Sequence, residues 1–375
     1  MSEWRATTLD QLVRLQRGHD LPTGQRRLGK VPVVGAAGPS GVHDTAIAKA
    51  PGVVVGRAGA SMGHATYCDV DFWPLNTSLY VTDFMGNDPR FAYYLLDQID
   101  FSGYNSGAAQ PMLNRNYITQ IPIHLPHPGE QRAIATVLGA LDDKIAVNER
   151  IAATYEELLQ CKYTQLGLSD EPDDAIAVPV TDLVSFNRKL TKPTADEPVY
   201  VDMAALQTNR ASIPSWTHRA PKSGPRFTNG DTLLARITPC LENGKTGYVD
   251  FMQEGEIGLG STEFIVIRSI AGMPLELSYF LARDSRFREH AIRNMVGTSG
   301  RQRVSAADAA NYFVNQPDSD AVVAFGKEAA VAFAHMKSLQ GESRNLTALR
   351  DTLLPQLMSG RLRVKDAEKI VEDHV

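Results

Sequence analysis

A chain of 375 residues, 43% hydrophobic and 22% charged, holds enough apolar material for two buried cores and too little bias for a disordered or fibrous protein. A net charge of −5 argues against a protein that coats nucleic acid over its whole surface, although one positive face would suffice for binding. Cys68, Cys161 and Cys240 are odd in number and form no CxxC pair, which argues against a zinc ribbon or a disulfide scaffold. No apolar run reaches the roughly 18 residues of a membrane span, and the N-terminal stretch lacks the apolar core of a signal peptide. A cytoplasmic location is expected.

Residues 1–128 read as mixed α and β. Leu9–Leu15 predicts a short helix. A glycine- and proline-rich part follows, with strands at Val31–Val34 and Val53–Gly56, a glycine-rich turn from Gly56 to Gly63 that contains Ser61, and a strand at Leu79–Val81. Phe91–Ile99 reads as a helix, Asn105–Gln110 as a polar loop and Ile121–Leu125 as a strand. From Glu130 to Leu166, apolar residues recur at steps of three and four: Ile134, Leu138, Leu141, Ile145, Ala152, Tyr155 and Leu159. Asn148 fills the one polar slot. Such a seam on a helix wants a partner helix, and a polar seam residue fixes register. At about 1.5 Å per residue the rod would reach on the order of 50 Å. Asp142 and Asp143 read as solvated dipole and solubility residues.

Ser169–Asp174 is a polar, proline-containing linker and the best domain boundary. Residues 175–320 are again mixed α and β. A second helical seam then runs through Val322, Phe325, Ala329, Ala332, Met336, Leu339, Leu346, Leu353 and Leu357, with Ser343 and Arg350 in two of its slots. Pro355 would kink its last turns, Ser359-Gly360 would stop it, and the charged tail would fray.

The two halves repeat. Pro51–Arg57 matches Asn229–Arg236 as turn, apolar strand and arginine, and Phe91–Leu96 matches Leu277–Leu281. Ser106-Gly107 with Gln110 matches Ser299-Gly300 with Gln302, and Pro126 matches Pro317. The order is domain, rod, domain, rod. Antiparallel pairing of the rods would bury both seams and give an approximate two-fold. Two heads at a fixed separation suit a rigid repeating lattice such as duplex DNA, with one turn about every 34 Å.

Enzyme motifs are wanting. Gly244-Lys245-Thr246 ends like a phosphate-binding loop, but Pro239 stands where its first glycine must be, and Gly255–Thr262 has the glycine spacing without the lysine. HExxH and GxGxxG do not occur, and Asn87-Asp88-Pro89-Arg90 is not the Asn/Asp-Pro-Pro-aromatic motif of an amino-methyltransferase. What remains is basic and polar chemistry on loops. Arg283, Arg286, Arg288, Arg293, Arg301 and Arg303 cluster in the second half, with Lys222 and Arg226; Arg26, Arg27 and Lys30 cluster in the first. Arginine forks can grip phosphates or read guanine, and Asn and Gln can read adenine.

At this point the chain resembles the DNA-specificity subunit of type I restriction-modification systems over nearly its whole length. The resemblance is carried by Leu113-Asn114-Arg115 to Ile121-Pro122-Ile123, by Pro126 through Glu130-Gln131-Arg132-Ala133-Ile134, and by Leu141-Asp142-Asp143-Lys144-Ile145 with Asn148. In the second half it is carried by Gly230 to Lys245 and by Leu353-Leu354-Pro355-Gln356-Leu357-Met358-Ser359-Gly360. It implies an α+β fold. Two target-recognition domains (1–128 and 169–320) would be separated by a central spacer helix (129–168) and a distal one (321–362), before a charged tail (363–375). The helices would pair antiparallel, like a coiled coil, through Ile134, Leu138, Leu141, Ile145, Asn148, Tyr155, Leu159, Phe325, Met336, Leu339, Leu346 and Leu353. Candidate DNA-binding residues are Arg57, Ser61, Ser106, Gln110, Asn114 and Arg115 in the first domain. In the second they are Arg236, Thr238, Asn243, Lys245, Ser299, Arg301, Gln302 and Arg303. The subunit would read a bipartite site in double-stranded DNA, catalyse nothing and bind no cofactor or metal. It would dock two adenine methyltransferase subunits that carry S-adenosylmethionine, and a restriction and motor subunit could join. The alternative is a two-domain scaffold that binds proteins and no DNA; a standalone DNA-modifying enzyme is disfavoured by the missing motifs.

Overall fold

The structure is a computed structural model that describes residues 4–373 apart from 108–110, 221–222 and 299. Two compact units form, Met1–Ile145 with Asn345–Val375 and Ala146–Arg344, each with its own apolar core. Their topologies match. In the first, a sheet runs in the order Arg14–Arg17, Ser78–Asp83, Gly52–Gly56, Ala65–Cys68. In the second the order is Val184–Phe186, Phe264–Ser269, Thr232–Ala235, Lys245–Tyr248, with Gln207–Thr208 added at the edge. The inner strands Gly52–Gly56 and Thr232–Ala235 are buried along their whole length, which explains why they read as apolar runs without alternation.

A smaller sheet repeats as well. Val31–Gly35 lies between antiparallel Gly38–His43 and parallel Trp73–Pro74. Val199–Val201 lies between antiparallel Thr217–His218 and parallel Gly258–Gly260. Each unit is closed by a ladder joining its first strand to its last, Arg5–Thr8 with Pro122–Leu125 and Ala177–Pro179 with Phe313–Asn315.

The first unit's sheet is backed by helix Pro89–Asp97. Asp88 caps it by accepting from the amides of Arg90 and Phe91, and Pro89 takes the first turn, where its missing N–H costs nothing. The Asn-Asp-Pro stretch is thus a helix start. Leu9–Leu15 departs from the predicted helix: Leu9–Gln11 is a single 3-10 turn and Arg14–Arg17 a strand. The amides of Leu9 and Asp10 bond to the carbonyls of Ile121 and Thr119, so tertiary partners override local propensity.

The two long helices are Pro128–Gln165 and Ser319–Met358. The second passes through Pro355 and ends before Gly360, which adopts a left-handed φ of 67°. In the first unit Ile134, Leu138 and Leu141 share one core with Leu346 and Leu353, and Ile145 packs against it half-buried. Arg350 donates to Asp142 at 2.8 Å. In the second unit Leu159, Phe325 and Met336 share the other core with half-buried Tyr155, and Leu339 is buried. Buried Asn148 donates to Ser343 Oγ at 3.3 Å and Glu342 Oε2 at 2.7 Å; Tyr155 meets His335 at 3.1 Å and Lys162 meets Glu328 at 2.5 Å. Partners descend along one helix as they ascend along the other, so the pairing is antiparallel. The polar slots at Asn148, Ser343 and Arg350 are filled by partners from the facing helix.

Three expectations are corrected. Asp142 and Asp143 are not merely solvated: Asp142 also accepts from the Tyr94 hydroxyl, and Asp143 takes a two-point contact from Arg90 at 2.8 and 3.0 Å. The Ser169–Asp174 segment is pinned to its own unit, since Ser169 donates to Asp284, Arg286 pairs with Glu171 and the Asp173 amide donates to Asn315. The described part of the tail does not fray: Val364–Glu372 is a helix, and Ala367 is fully buried in the first unit's core. The sequence pattern hid this because the helix buries a narrow stripe beneath a charged face. Among the described residues no helix is long and apolar enough to cross a membrane.

Glu156, on the first long helix, is a deeply buried charge. It accepts from the Ala211 amide at 2.9 Å, the Tyr279 hydroxyl at 3.0 Å and Arg283 at 3.0 Å. Burial pushes its carboxyl up from the ordinary range against the opposing pull of those partners. Glu156→Ala should destabilise the second unit by about 3–5 kcal/mol, since it strands a buried cation and two donors. Glu156→Gln, which keeps acceptor oxygen, should cost less; urea denaturation of the two variants checks the order. Burial also pushes the Cys68 thiol up to about 12. Under native conditions an aromatic disulfide reagent should therefore modify exposed Cys161 and leave Cys68 untouched until denaturant is added.

Candidate nucleic-acid interface

In the first unit a polar cleft of about 760 Å³ opens at the end of strand Gly52–Gly56. Arg57, Ser106, Asn114 and Arg115 line it, together with Arg17 and His19. Gly56 makes the turn possible: a Cβ there would lie 2.0 Å from the Ser61 carbonyl oxygen and 2.6 Å from that of Ala36. The close approach releases Arg57 at the strand end. Its amide donates to the Thr77 carbonyl at 2.9 Å, and its own carbonyl accepts from the Leu113 amide at 2.8 Å.

The Arg57 side chain reaches Met112 Sδ at 3.3 Å and the Asn76 carbonyl at 3.5 Å. Among the described residues it makes no ion pair. Burial and the neighbouring Arg17 cation both weaken its hold on its proton, so an anion entering the cleft would relieve both effects. Asn114 caps the turn Arg115–Ile118 by accepting from the Asn116 amide at 3.0 Å, which leaves its NH2 group for a ligand. Ser106 Oγ donates to the Met112 carbonyl at 2.9 Å and keeps its acceptor capacity. Ser61 lies in the turn Gly59–Ser61 and does not line the cleft. Gln110 is outside the described residues.

The second unit repeats the frame with other side chains. The Arg236 amide donates to the Glu263 carbonyl at 2.9 Å, and the Arg236 carbonyl accepts from Val304 at 3.0 Å. Thr238 and Gln302 bond reciprocally: the Thr238 amide reaches the Gln302 carbonyl at 3.1 Å, and the Gln302 amide reaches Thr238 Oγ1 at 3.0 Å. Arg303 ion-pairs with Glu263 at 2.6 Å, and Arg301 beside it is exposed. The structure thus gathers Arg236, Thr238, Arg301, Gln302 and Arg303. Asn243 and Lys245 belong to the turn and strand beyond Pro239; Asn243 is exposed, and Lys245 Nζ donates to the Met203 carbonyl at 2.9 Å. Ser299 is outside the described residues.

The arginine cluster of the second half is largely committed within the protein. Arg283 goes to Glu156, Arg286 to Glu171, Arg288 to Asn209, Arg293 to Glu289 and Arg303 to Glu263. Arg226 is drawn to the Leu190 carbonyl, Arg26 to that of Ser40, and Arg27 pairs with Asp44. Lys222 is outside the described residues. Counting arginines along the chain therefore overstates the free positive charge.

The bridges also set the register of the repeat. Ala58 faces Met112 as Ile237 faces Arg303, and Asn114 caps one short helix as Ser305 caps the other. This is one residue off the pairing of Gln110 with Gln302. Sequence reasoning missed Arg17 and His19, because the stretch before them was read as helix, and Glu263, because acidic residues were set aside. The polar alternation of Arg14-Leu15-Gln16-Arg17 was the available signal. Among the described residues no group of three or more His, Cys, Asp or Glu side chains could hold a metal ion.

Comparison with known proteins gives this geometry its context. Residues 1–157 match the family described as the type I restriction modification DNA specificity domain. The EcoAI specificity subunit of Escherichia coli is 25% identical over 214 residues, which cover 54% of this chain and 35% of that protein. The EcoEI specificity subunit of Escherichia coli is 25% identical over 210 residues, covering 52% and 34%. The matches thus span about a third of the length of these relatives. The crystal structure of a type I restriction-modification S subunit from M. genitalium superposes with a TM-score of 0.57 over 95% of this chain and 96% of that one, at 17% identity, a likeness of fold. Residues 1–157 are thus similar to the type I restriction modification DNA specificity domain, and the likeness of fold to an S subunit runs over nearly the whole chain.

Proposed function

We propose that this chain reads a bipartite site in double-stranded DNA, one half with each unit, as the specificity subunit of a type I restriction-modification complex. The observation that carries the reading is the presence of the Arg17 and Arg57 cations, neither in an ion pair among the described residues, at a polar cleft that Asp20 also lines, beside the Asn114 amide and the Ser106 hydroxyl. A duplex offers phosphates for such cations and base edges for such amides. The matching frame around Arg236 supplies a second reader with a different side-chain set. The family match over residues 1–157 supports the same conclusion.

On this reading the chain works in the cytoplasm, catalyses nothing and binds no cofactor. Two adenine methyltransferase subunits, which bring S-adenosylmethionine, dock on the long helices, and a restriction and motor subunit can join them. The helices set the gap of unspecified bases between the half-sites.

Methylome sequencing of cells that carry the chain with its methyltransferase tests the division of labour. Arg57→Ala should relax one half-site and Arg236→Ala the other, each by roughly 1–3 kcal/mol of base discrimination. Loss of both half-sites in either variant would count against two independent readers. Removing four residues from either long helix should change the tolerated gap or prevent assembly, and an unchanged motif and gap would remove the measuring role. A mobility shift with the methyltransferase present separates DNA reading from a protein scaffold, and its salt dependence reports the phosphate contacts.

A further inference from the structure

The strand-end arginines sit in one frame, yet their surroundings differ in charge. The backbone bonds that tie Arg57 to Thr77 tie Arg236 to Glu263, and the bridge that sets Met112 opposite Ala58 sets Arg303 opposite Ile237. A neutral pair in the first unit, Thr77 and Met112, is therefore replaced by an ion pair in the second.

Its geometry is specific. Glu263 takes Arg303 Nε at 2.8 and 3.0 Å and Nη2 at 2.6 Å, which occupies one fork of the guanidinium. Among the described residues the other fork, between Nη1 and Nη2, touches only the Arg301 carbonyl at 3.4 Å. The Arg303 side chain is 39% exposed and that of Glu263 24%. Arg303 first, then the charges of Arg236 and Arg301, hold the Glu263 carboxyl below its usual range, so the pair stays ionised at neutral pH. A carboxylate on one fork fixes the plane of the other. A fixed planar fork matches the two acceptors on the major-groove edge of guanine.

We propose that Glu263 is a positioning residue of the second unit, holding Arg303 so that its outward N–H fork reads one guanine of the half-site. The first unit has no such constraint at Thr77 and Met112. The inference rests on the chain being a DNA-reading specificity subunit. It adds that the two halves read by different means, a braced arginine in one and an unbraced one in the other.

The test uses the full chain with its methyltransferase subunits, read by methylome sequencing and by competition binding with duplexes varied at single base pairs. Glu263→Ala and Arg303→Lys should each relax the same guanine in one half-site, lowering discrimination there about ten- to hundred-fold, with the other half-site and the gap intact. Glu263→Asp, which keeps a carboxylate, should retain more of the guanine preference than Glu263→Ala. An unchanged motif in both variants overturns the inference, as does a uniform affinity change at every base, the mark of a phosphate contact. If melting shows that Glu263→Ala does not fold, Arg303→Lys decides, since it keeps the charge and removes the fork. A wild-type chain that yields no bipartite motif at all would instead sink the DNA-reading assignment itself.

Discussion

A carboxylate can enter the interior of a helix seam only if donors arrive to meet it. The first long helix does this in each unit. Asp142 receives the Tyr94 hydroxyl and Arg350, and Glu156 receives the Tyr279 hydroxyl, Arg283 and the Ala211 amide. In both cases the tyrosine comes from the helix that backs the unit's larger sheet. Each unit is thereby keyed to the long helix by direction and not by apolar area alone. Slippage by a turn would leave a carboxylate, a phenol and a guanidinium unmatched in each unit, part-buried in the first and nearly fully buried in the second. The antiparallel pairing adds Asn148 with Ser343 in the second unit, a polar contact inside an apolar seam that disfavours other registers.

Much of this was legible in the sequence. The three-four spacing of Ile134, Leu138 and Leu141 and of Phe325, Ala329 and Ala332 marks faces that are buried in the structure. The apolar runs Val53–Val55 and Leu233–Leu234 mark the inner strands for the same reason, since their environment is uniform on both sides. Legibility failed where long-range partners decide. Leu9–Leu15 has a helical pattern, but the Ile121 and Thr119 carbonyls draw its amides into a turn and a strand. Asp142 and Asp143 look like surface acids until Tyr94, Arg350 and Arg90 come near.

The site was half legible. Repetition pointed to Arg57 and Arg236, because glycine-bounded strands ending in arginine are easy to align. It could not show which arginines are free. An ion pair such as Arg303 with Glu263 joins positions far apart in the chain, and no local pattern announces it. The same distance hid Arg17, which joins Arg57 through the sheet. Two copies of one topology thus carry unlike electrostatics: Arg57 stands beside the Arg17 cation in one, and an arginine is braced by a carboxylate in the other. On the proposed function, unlike readers on a common frame are a direct route to a site whose two halves differ.

The closing helix Val364–Glu372 has a consequence for synthesis. The first unit is assembled from Met1–Ile145 and Asn345–Val375, whereas the second is one continuous stretch. On the ribosome, the continuous unit can finish folding while the other still waits for residues 345–375 to emerge. A late stop codon would therefore wound the unit whose gene segment lies farthest from it.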